Sequence, residues 1–175
     1  MTRFPKITIC GVEELSDLDL TRFTHVISIW DPVWQGRDNH ELQIRRKLSD
    51  STQVHFAYFD DIPVPMDDRV AATLDQIREI LAFGAAANER SSILIHCWAG
   101  VSRSSGVAYA VLCQAAGLGN EKECLAHLRK VRPQAVPNSL IVTLAEVVLN
   151  RDGAMFSAYD KMISSLLIRC DDDEL

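Results

Sequence analysis

The sequence predicts a single α/β domain with a central, mostly parallel β-sheet, flanking helices and a helical C-terminal half. Two observations lead to this prediction. Four short strand-like segments lie within residues 1–95 and are separated by longer or helix-like segments, an order that is typical of parallel sheets. After the fourth segment only helix-like segments follow, so these helices are expected to pack against the sheet.

The four predicted strands are short, apolar or β-branched, and each is closed by a turn residue or a polar residue. Gly11 closes the first and Asp31-Pro32 the second. The third runs into Asp60-Asp61, after which two prolines exclude regular structure. The fourth is fully apolar, which predicts a central strand. The predicted strands are residues 7–10, 24–30, 54–59 and 93–95.

Helical spacing of apolar residues and turn residues at the ends predict six helices. Asp67 or Asp68 is the expected N-cap of the second helix, and Gly117 is expected to end the third. Asn120 with Glu123 resembles a capping box for the fourth. The predicted helices are residues 39–48, 70–87, about 103–116, one that follows Asn120 and reaches residue 131, one that Pro137-Asn138 opens and that runs through residue 149, and residues 155–168.

Length and composition restrict the possible functions. The chain has 175 residues, 47% of them hydrophobic, which suits one domain over residues 1–170 followed by a disordered acidic tail at residues 171–175. A net charge of −6 argues against nucleic acid as a general partner. The longest uncharged run, residues 104–120, is shorter than the ~20 residues that span a bilayer, so no membrane partner is expected.

The cysteines indicate a reducing environment. There are five, an odd number, with no Cys-x-x-Cys pair, and no apolar signal sequence precedes them. We therefore expect a cytoplasmic protein without structural disulfides. The histidines show no metal-ligand spacing with these cysteines, and no metal or cofactor is predicted.

One segment carries most of the chemical information. Residues 93–104 read I-L-I-H-C-W-A-G-V-S-R-S, which places Cys97 at the end of a buried strand. Five residues follow, and then Arg103 and Ser104 begin a helix. A loop that enters a helix turns its backbone N–H groups inward, and the helix dipole adds positive potential, so this segment predicts an anion-binding loop.

Each residue type in the loop has a use in phosphoryl transfer. The positive potential favours a Cys97 thiolate, which is a nucleophile. Gly100 permits backbone conformations that other residues avoid, and Arg103 can hold two phosphoryl oxygens at once. Ser104, or alternatively Ser102, can donate a hydrogen bond to the thiolate. The expected phosphate-binding residues are Trp98, Ala99, Gly100, Val101, Ser102 and Arg103.

A structural interpretation exists for each residue taken singly. A cysteine after a buried strand usually behaves as a small hydrophobe, and an arginine can simply begin a helix. The combination of Cys97 and Arg103 at this spacing, between a strand and a helix, favours a catalytic site.

The segment resembles the phosphate-binding loop of the protein tyrosine phosphatase superfamily, whose pattern is His-Cys-x5-Arg-Ser. The form C-W-A-G-V-S-R-S is most similar to the dual-specificity branch, and in particular to a compact bacterial group of predicted tyrosine phosphatases. An acidic loop before the second long helix, Arg132, and Pro137-Asn138 ahead of a helix extend the likeness over about residues 7–150.

The resemblance implies a two-step reaction without a metal, in which Cys97 forms a cysteinyl-phosphate and an aspartic acid protonates the leaving oxygen. The candidates for this acid are Asp60, Asp61, Asp67 and Asp68. Asp61 is favoured because it follows the third strand and precedes Ile62 in an Asp-Ile pair that resembles the bacterial group. Asp60 is second, and Asp67 and Asp68 have the competing role of helix caps.

The substrate class implied is a phosphorylated protein or peptide, with phosphotyrosine or dual specificity left open. The loop lacks the basic residues that relatives acting on inositol phospholipids tend to carry. Two alternatives remain: a binding module that holds phosphorylated partners without turnover, and a phosphatase for a small molecule or an RNA 5′ end. Retention of Cys97 and Arg103 favours an active enzyme, and nothing in the sequence indicates the oligomeric state.

Overall fold

A four-stranded parallel sheet forms the centre of the molecule, as predicted. The computed structural model describes residues 4–88 and 90–172, with side chains up to residue 166. The strands are β1 (Lys6–Cys10), β2 (His25–Trp30), β3 (Gln53–Tyr58) and β4 (Ser92–His96), in the spatial order β1-β4-β2-β3.

All strand pairs are parallel, so the four strands end at the same edge of the sheet. In the register, His96 lies opposite Cys10 on one side and Ser28 on the other. Strand β4 is buried along its whole length, because it lies between two strands and is covered on both faces. Residues that follow β2, β3 and β4 therefore meet above one edge.

Helices cover both faces of the sheet. The helix α1 and two short 3₁₀ turns, Glu13–Ser16 and Leu20–Arg22, pack on one face. The other five helices form the opposite layer and much of the main core. The helices are α1 (Arg37–Lys47), α2 (Leu74–Ala85), α3 (Arg103–Ala116), α4 (Glu121–Val131), α5 (Ser139–Leu149) and α6 (Ala154–Asp172).

Helix α3 is the central helix of this layer. Its residues 103–113 are all buried, since it contacts β1 and β4 on one side and α2, α4 and α5 on the others. Gly106 permits close packing: a Cβ there would lie 3.1 Å from the Cβ of Ile141 on α5. Gly117, with φ of 79°, ends the helix as predicted. This burial fixes the position of Arg103 at the helix start.

Two predicted helix caps are wrong. Helix α2 begins at Leu74, and its N-cap is Thr73, which forms a capping box with Gln76, so neither Asp67 nor Asp68 caps it. The backbone of Val70 is instead paired with Asp60, which keeps the preceding residues outside the helix.

At α4, Asn120 does occupy the N-cap position, but its side chain makes no capping hydrogen bond. The amide nitrogen donates to the carbonyl oxygens of Ala116 and Leu118 instead. The predicted capping box with Glu123 is therefore not formed.

Helix α6 extends to Asp172, beyond the predicted end at residue 168, and includes the first two residues of the predicted acidic tail. The rest of that tail, residues 173–175, lies outside the described residues. None of the helices within the described residues is both long and apolar enough to cross a bilayer.

Candidate active site

The loop between β4 and α3 places a cysteine and a serine against each other. Cys97 follows the last residue of β4 and is 1% exposed, and Arg103 begins α3. The Cys97 Sγ lies 3.2 Å from the Oγ of the buried Ser104. Ser102, the alternative partner proposed from the sequence, directs its hydroxyl to Asp61 instead.

The carbonyl oxygens of the five loop residues all accept hydrogen bonds from groups outside the residue 97–103 segment. This arrangement turns the peptide planes so that their N–H groups point towards the opposite, inner side of the loop, which makes an anion-binding concavity. The donors are Val12 N to Trp98 O, the Arg132 guanidinium to Ala99 O and Gly100 O, Val136 N to Val101 O, and both Asn138 N and Gly106 N to Ser102 O.

Gly100 is required by the path of the loop. Its φ is 69°, a conformation that residues with a Cβ rarely adopt. A Cβ at this position would lie 2.4 Å from the carbonyl carbon of Cys10 and 2.5 Å from the nitrogen of Gly11. The loop therefore packs directly on the backbone that follows β1.

Arg103 is buried and oriented from one side. Its Nη1 donates to Asp31 Oδ1 at 2.9 Å and to the carbonyl oxygen of Phe59 at 3.0 Å, and its Nη2 lies 3.4 Å from Asp31 Oδ2. The Nε is buried and has no hydrogen-bond partner within the described residues. The guanidinium thus keeps its Nε–H edge available for an anion in the loop.

Asp61 lies at the rim of the same site. Its Oδ1 accepts hydrogen bonds from Ser102 Oγ at 2.6 Å and from Asn138 Nδ2 at 2.9 Å. Its Oδ2 lies 3.8 Å from Arg103 Nε, and its side chain is 39% exposed. The structure therefore brings Asp61, Ser102 and Arg103 together.

The other three acidic candidates lie elsewhere. Asp60 is buried and structural: its Oδ2 accepts from Val70 N at 2.7 Å and lies 3.7 Å from Arg69 Nε. Asp67 and Asp68 are exposed. Of the four, Asp61 is the one whose carboxylate contacts the loop.

Arg132 and Glu14 hold the loop from its outer side. The Arg132 guanidinium binds both carboxylate oxygens of Glu14, at 2.6 and 2.7 Å, as well as two loop carbonyls. Glu14 also accepts from Gly11 N at 2.6 Å. The hydrogen bond from Arg132 is the main reason why the pKa of Glu14 is lowered, so this carboxylate stays ionised.

His96 supports the loop from below. Its Nε2 lies 2.7 Å from the Oγ of Ser28, which also accepts from the indole N–H of Trp30. Burial lowers the pKa of His96 to about 4, which keeps the imidazole neutral near pH 7. Because His96 is completely buried, it supports the loop and does not reach the surface of the site.

Aromatic rings line one side of the site. Trp30 stacks on Trp34 at 5.3 Å, and Trp34 meets Trp98 edge to face at 5.1 Å. Trp98 is 51% exposed although it directly follows Cys97. Trp34, in the loop after β2, therefore packs against Trp30 of its own segment and also borders the cleft through Trp98.

Sequence reasoning missed three residues of this site: Asp31, Glu14 and Asn138. Asp31 had a usable signal, since it follows a strand that ends at the same sheet edge as β4. Asn138 was predicted only as a helix start, and it does cap α5 through Ile141 N, but it also holds Asp61. Glu14 had no signal, because its partner Arg132 is 118 residues away.

A cysteine at the end of a parallel strand, a loop with inward N–H groups, and a buried arginine at the start of the next helix together define a cysteine-dependent phosphatase site. The family model described as "Dual specificity phosphatase, catalytic domain" matches residues 13–148. The chain therefore belongs to the dual-specificity phosphatase family and is a phosphatase.

Solved structures have the same fold. Tk-PTP in the active form is 21% identical, with a TM-score of 0.57 over 83% of this chain and 92% of that chain. DUSP15 is 20% identical, with a TM-score of 0.59 over 94% of both chains. The PTP-2 phosphatase of Cydia pomonella is 19% identical, with a TM-score of 0.58 over 83% of this chain and 89% of that chain. The comparison with curated proteins gave no match.

Proposed function

We propose that this phosphatase hydrolyses phosphomonoesters of phosphorylated proteins or peptides through a cysteinyl-phosphate on Cys97. The observation that carries the proposal is the loop itself. Its carbonyl oxygens are all bonded outwards around a buried thiol, while the Nε of the buried Arg103 has no hydrogen-bond partner within the described residues. A phosphoryl group bound there would meet inward N–H groups and the Nε–H of Arg103, which lies 3.8 Å from Asp61 Oδ2.

In the first step, the Cys97 thiolate attacks phosphorus, an S–P bond forms, and the ester P–O bond breaks. Asp61 gives a proton to the leaving oxygen, so the alcohol or phenol departs neutral. The arrangement that supports this role is the position of Asp61 Oδ2, which lies 3.8 Å from Arg103 Nε while Oδ1 is held by Ser102 and Asn138. Arg103 and the loop N–H groups stabilise the charge on the transferred phosphoryl group.

In the second step, water attacks the cysteinyl-phosphate and Asp61, now a carboxylate, accepts its proton. The S–P bond breaks and the thiolate is released with inorganic phosphate as the product. The Oγ of Ser104, at 3.2 Å from the sulfur, is placed to donate a hydrogen bond to this leaving thiolate. Neither step uses a metal ion.

We also propose that the enzyme works in the cytoplasm, without nucleic acid or a membrane as partner. Cys10, Cys97, Cys113 and Cys124 are free thiols, which suits a reducing compartment. The net charge of −6 supports a protein or peptide substrate over a polyanionic one.

The decisive assay is turnover of phosphotyrosine, phosphoserine and phosphothreonine peptides in EDTA, with phosphoinositides and a 5′-phosphorylated RNA alongside. We expect hydrolysis of phosphopeptides, complete loss in Cys97→Ser, and retention in Cys124→Ala, which removes a thiol outside the site. Activity that requires added metal, or that survives in Cys97→Ser, would refute the mechanism.

Vanadate binding separates an enzyme from a binding module. Vanadate should raise the melting temperature of the wild type, since a ligand that binds only the folded state stabilises it. Arg103→Ala should abolish this shift. Vanadate binding without turnover of any phosphopeptide would favour the module that holds phosphorylated partners.

A further inference from the structure

A cavity lies beside the phosphate-binding loop. It has a volume of about 520 Å³, and the residues that line it are Gly11, Val12, Glu13, Glu14, His40, Trp98 and Ala99. It borders the loop at Trp98, the residue next to Cys97. A group bound in this cavity would therefore be close to the reacting centre without occupying the phosphate site.

The aromatic wall of this cavity is held in place. Trp98 is 51% exposed, but its ring rests edge to face against Trp34 and its carbonyl oxygen is bonded to Val12 N. His40 lies 5.0 Å from Trp34 and supports it from α1. An exposed indole fixed in this way offers a face that attracts cations.

Two acidic residues, Glu13 and Glu14, also line the cavity. Glu14 is ionised, and its charge is balanced by Arg132. Glu13 is exposed, and no hydrogen bond or ion pair engages its carboxylate within the described residues. The cavity therefore combines an aromatic face with one uncompensated carboxylate, which complements an organic cation.

We propose that this cavity binds the side chain of an arginine or lysine that neighbours the phosphorylated residue of the substrate. The inference rests on the proposed function. Successive residues of an extended peptide are about 3.5 Å apart, so a residue next to the phosphorylated one passes the rim at Trp98. An acidic residue at this position would be repelled by the Glu13 carboxylate, and a neutral residue would form no ion pair with it. The enzyme thus selects phosphorylated sites with a basic flank.

The test uses matched phosphotyrosine peptides that differ at one flanking position, carrying arginine, glutamine or glutamate at each of the two residues on either side. In the wild type, we expect arginine at one of these positions to raise kcat/KM about threefold to tenfold over glutamine, mainly through KM, as a cation–π contact and an exposed ion pair allow. Higher salt should reduce this preference.

Glu13→Gln should remove most of the preference for arginine while turnover of the glutamine peptide and of p-nitrophenyl phosphate stays unchanged. Glu123→Gln, which changes the net charge equally at an exposed site on α4, should keep the preference. Equal kcat/KM for the arginine and glutamine peptides at every position, or a preference that persists in Glu13→Gln, would overturn the proposal.

The assays distinguish failure of the proposed subsite from failure of the proposed phosphatase function. Turnover of p-nitrophenyl phosphate without any preference for arginine would refute the subsite alone. If no phosphate ester is hydrolysed, the affinity of Cys97→Ser for the same peptides still tests the subsite, and equal affinities for the arginine and glutamine peptides would refute it.

Discussion

Asp31 and Arg103 form an ion pair in which each carboxylate oxygen faces one terminal nitrogen of the guanidinium, at 2.9 and 3.4 Å. Asp31 directly follows β2, and Arg103 begins the helix after β4, the strand beside β2. The pair, with the carbonyl oxygen of Phe59, occupies one edge of the guanidinium. This leaves Nε without a hydrogen bond, 3.8 Å from Asp61 Oδ2, so Asp31 acts as a positioning residue for Arg103.

Removal of the Asp31 carboxylate should leave the Arg103 side chain in the site but less well oriented. We expect Asp31→Ala to lower kcat/KM for p-nitrophenyl phosphate about tenfold, since a buried charge loses a hydrogen-bonding partner, and to weaken vanadate binding in parallel. Asp31→Asn keeps an acceptor for Nη1 and should lose less. Asp50→Ala, at an exposed position, serves as the control. Wild-type kcat/KM and vanadate affinity in Asp31→Ala would show that Arg103 needs no such support.

Gly100→Ala should prevent the loop from closing on β1. The new Cβ would meet backbone atoms of Cys10 and Gly11 at 2.4 and 2.5 Å, and backbone cannot move aside as a flexible side chain can. We expect loss of vanadate binding and of activity, with a lowered melting temperature. Gly117→Ala is the matched control, because Gly117 also has a positive φ but nothing lies within 4 Å of its Cβ position. A Gly100→Ala enzyme as active as Gly117→Ala would contradict this account.

The strands and the Cys97 loop could be predicted because their signals are local. Apolar runs closed by Gly11 or Asp31-Pro32 identify strands, and the spacing from Cys97 to Arg103 is contained within one segment. The strand order is not local, and it is the order that places β2 beside β4 and Asp31 against Arg103. A residue that holds the site from a distant element leaves no pattern in a single sequence.

The start of α2 shows a different limit. The apolar spacing from Val70 onwards suits a helix, yet the backbone of Val70 pairs with Asp60 and the helix begins four residues later. A tertiary contact therefore overrides the local periodicity. Because the helix begins at Leu74, Asp67 and Asp68 do not take the capping role that the sequence suggested. The loop after Asp61 is held at both ends, by Asn138 at Asp61 and by Asp60 at Val70.

The buried His96 should make the stability of the protein depend on pH. Its pKa is about 4 in the folded protein, because burial disfavours the charged form, against 6.5 when exposed. Between these values the unfolded chain binds more protons than the folded one, so the stabilising effect is complete above pH 6.5 and is lost as pH falls towards 4.

Between pH 7.5 and 5.0, the free energy of unfolding of the wild type should therefore fall by about 2 kcal/mol more than that of His96→Gln. Urea unfolding at both pH values measures this difference. An NMR titration of the wild type provides an independent check that does not depend on the variant folding. An imidazole that gains its proton near pH 6.5 would show that His96 is not held neutral.

Asp61 is the proposed proton donor. If Asp61 protonates the leaving oxygen, Asp61→Asn should lower kcat for a phosphotyrosine peptide by about 10²–10⁴-fold, the usual effect of positioned proton transfer. The loss should be much smaller for an aryl phosphate whose leaving group needs no proton. Because the acid must be protonated in the first step, wild-type kcat should fall as pH rises where that step limits turnover. Asp61→Asn should flatten this basic limb.

Three further variants make the assignment selective, because the structure separates the four acidic candidates. Asp67→Asn and Asp68→Asn alter exposed carboxylates and should retain wild-type kcat. Asp60→Asn weakens the contact with Val70 N and Arg69, so it should lower the melting temperature more than it changes the dependence on the leaving group. If Asp61→Asn keeps wild-type turnover while another of the four variants loses it, the acid is that residue. If none of the four matters, proton donation by this loop is excluded, and the leaving oxygen must take its proton from another group.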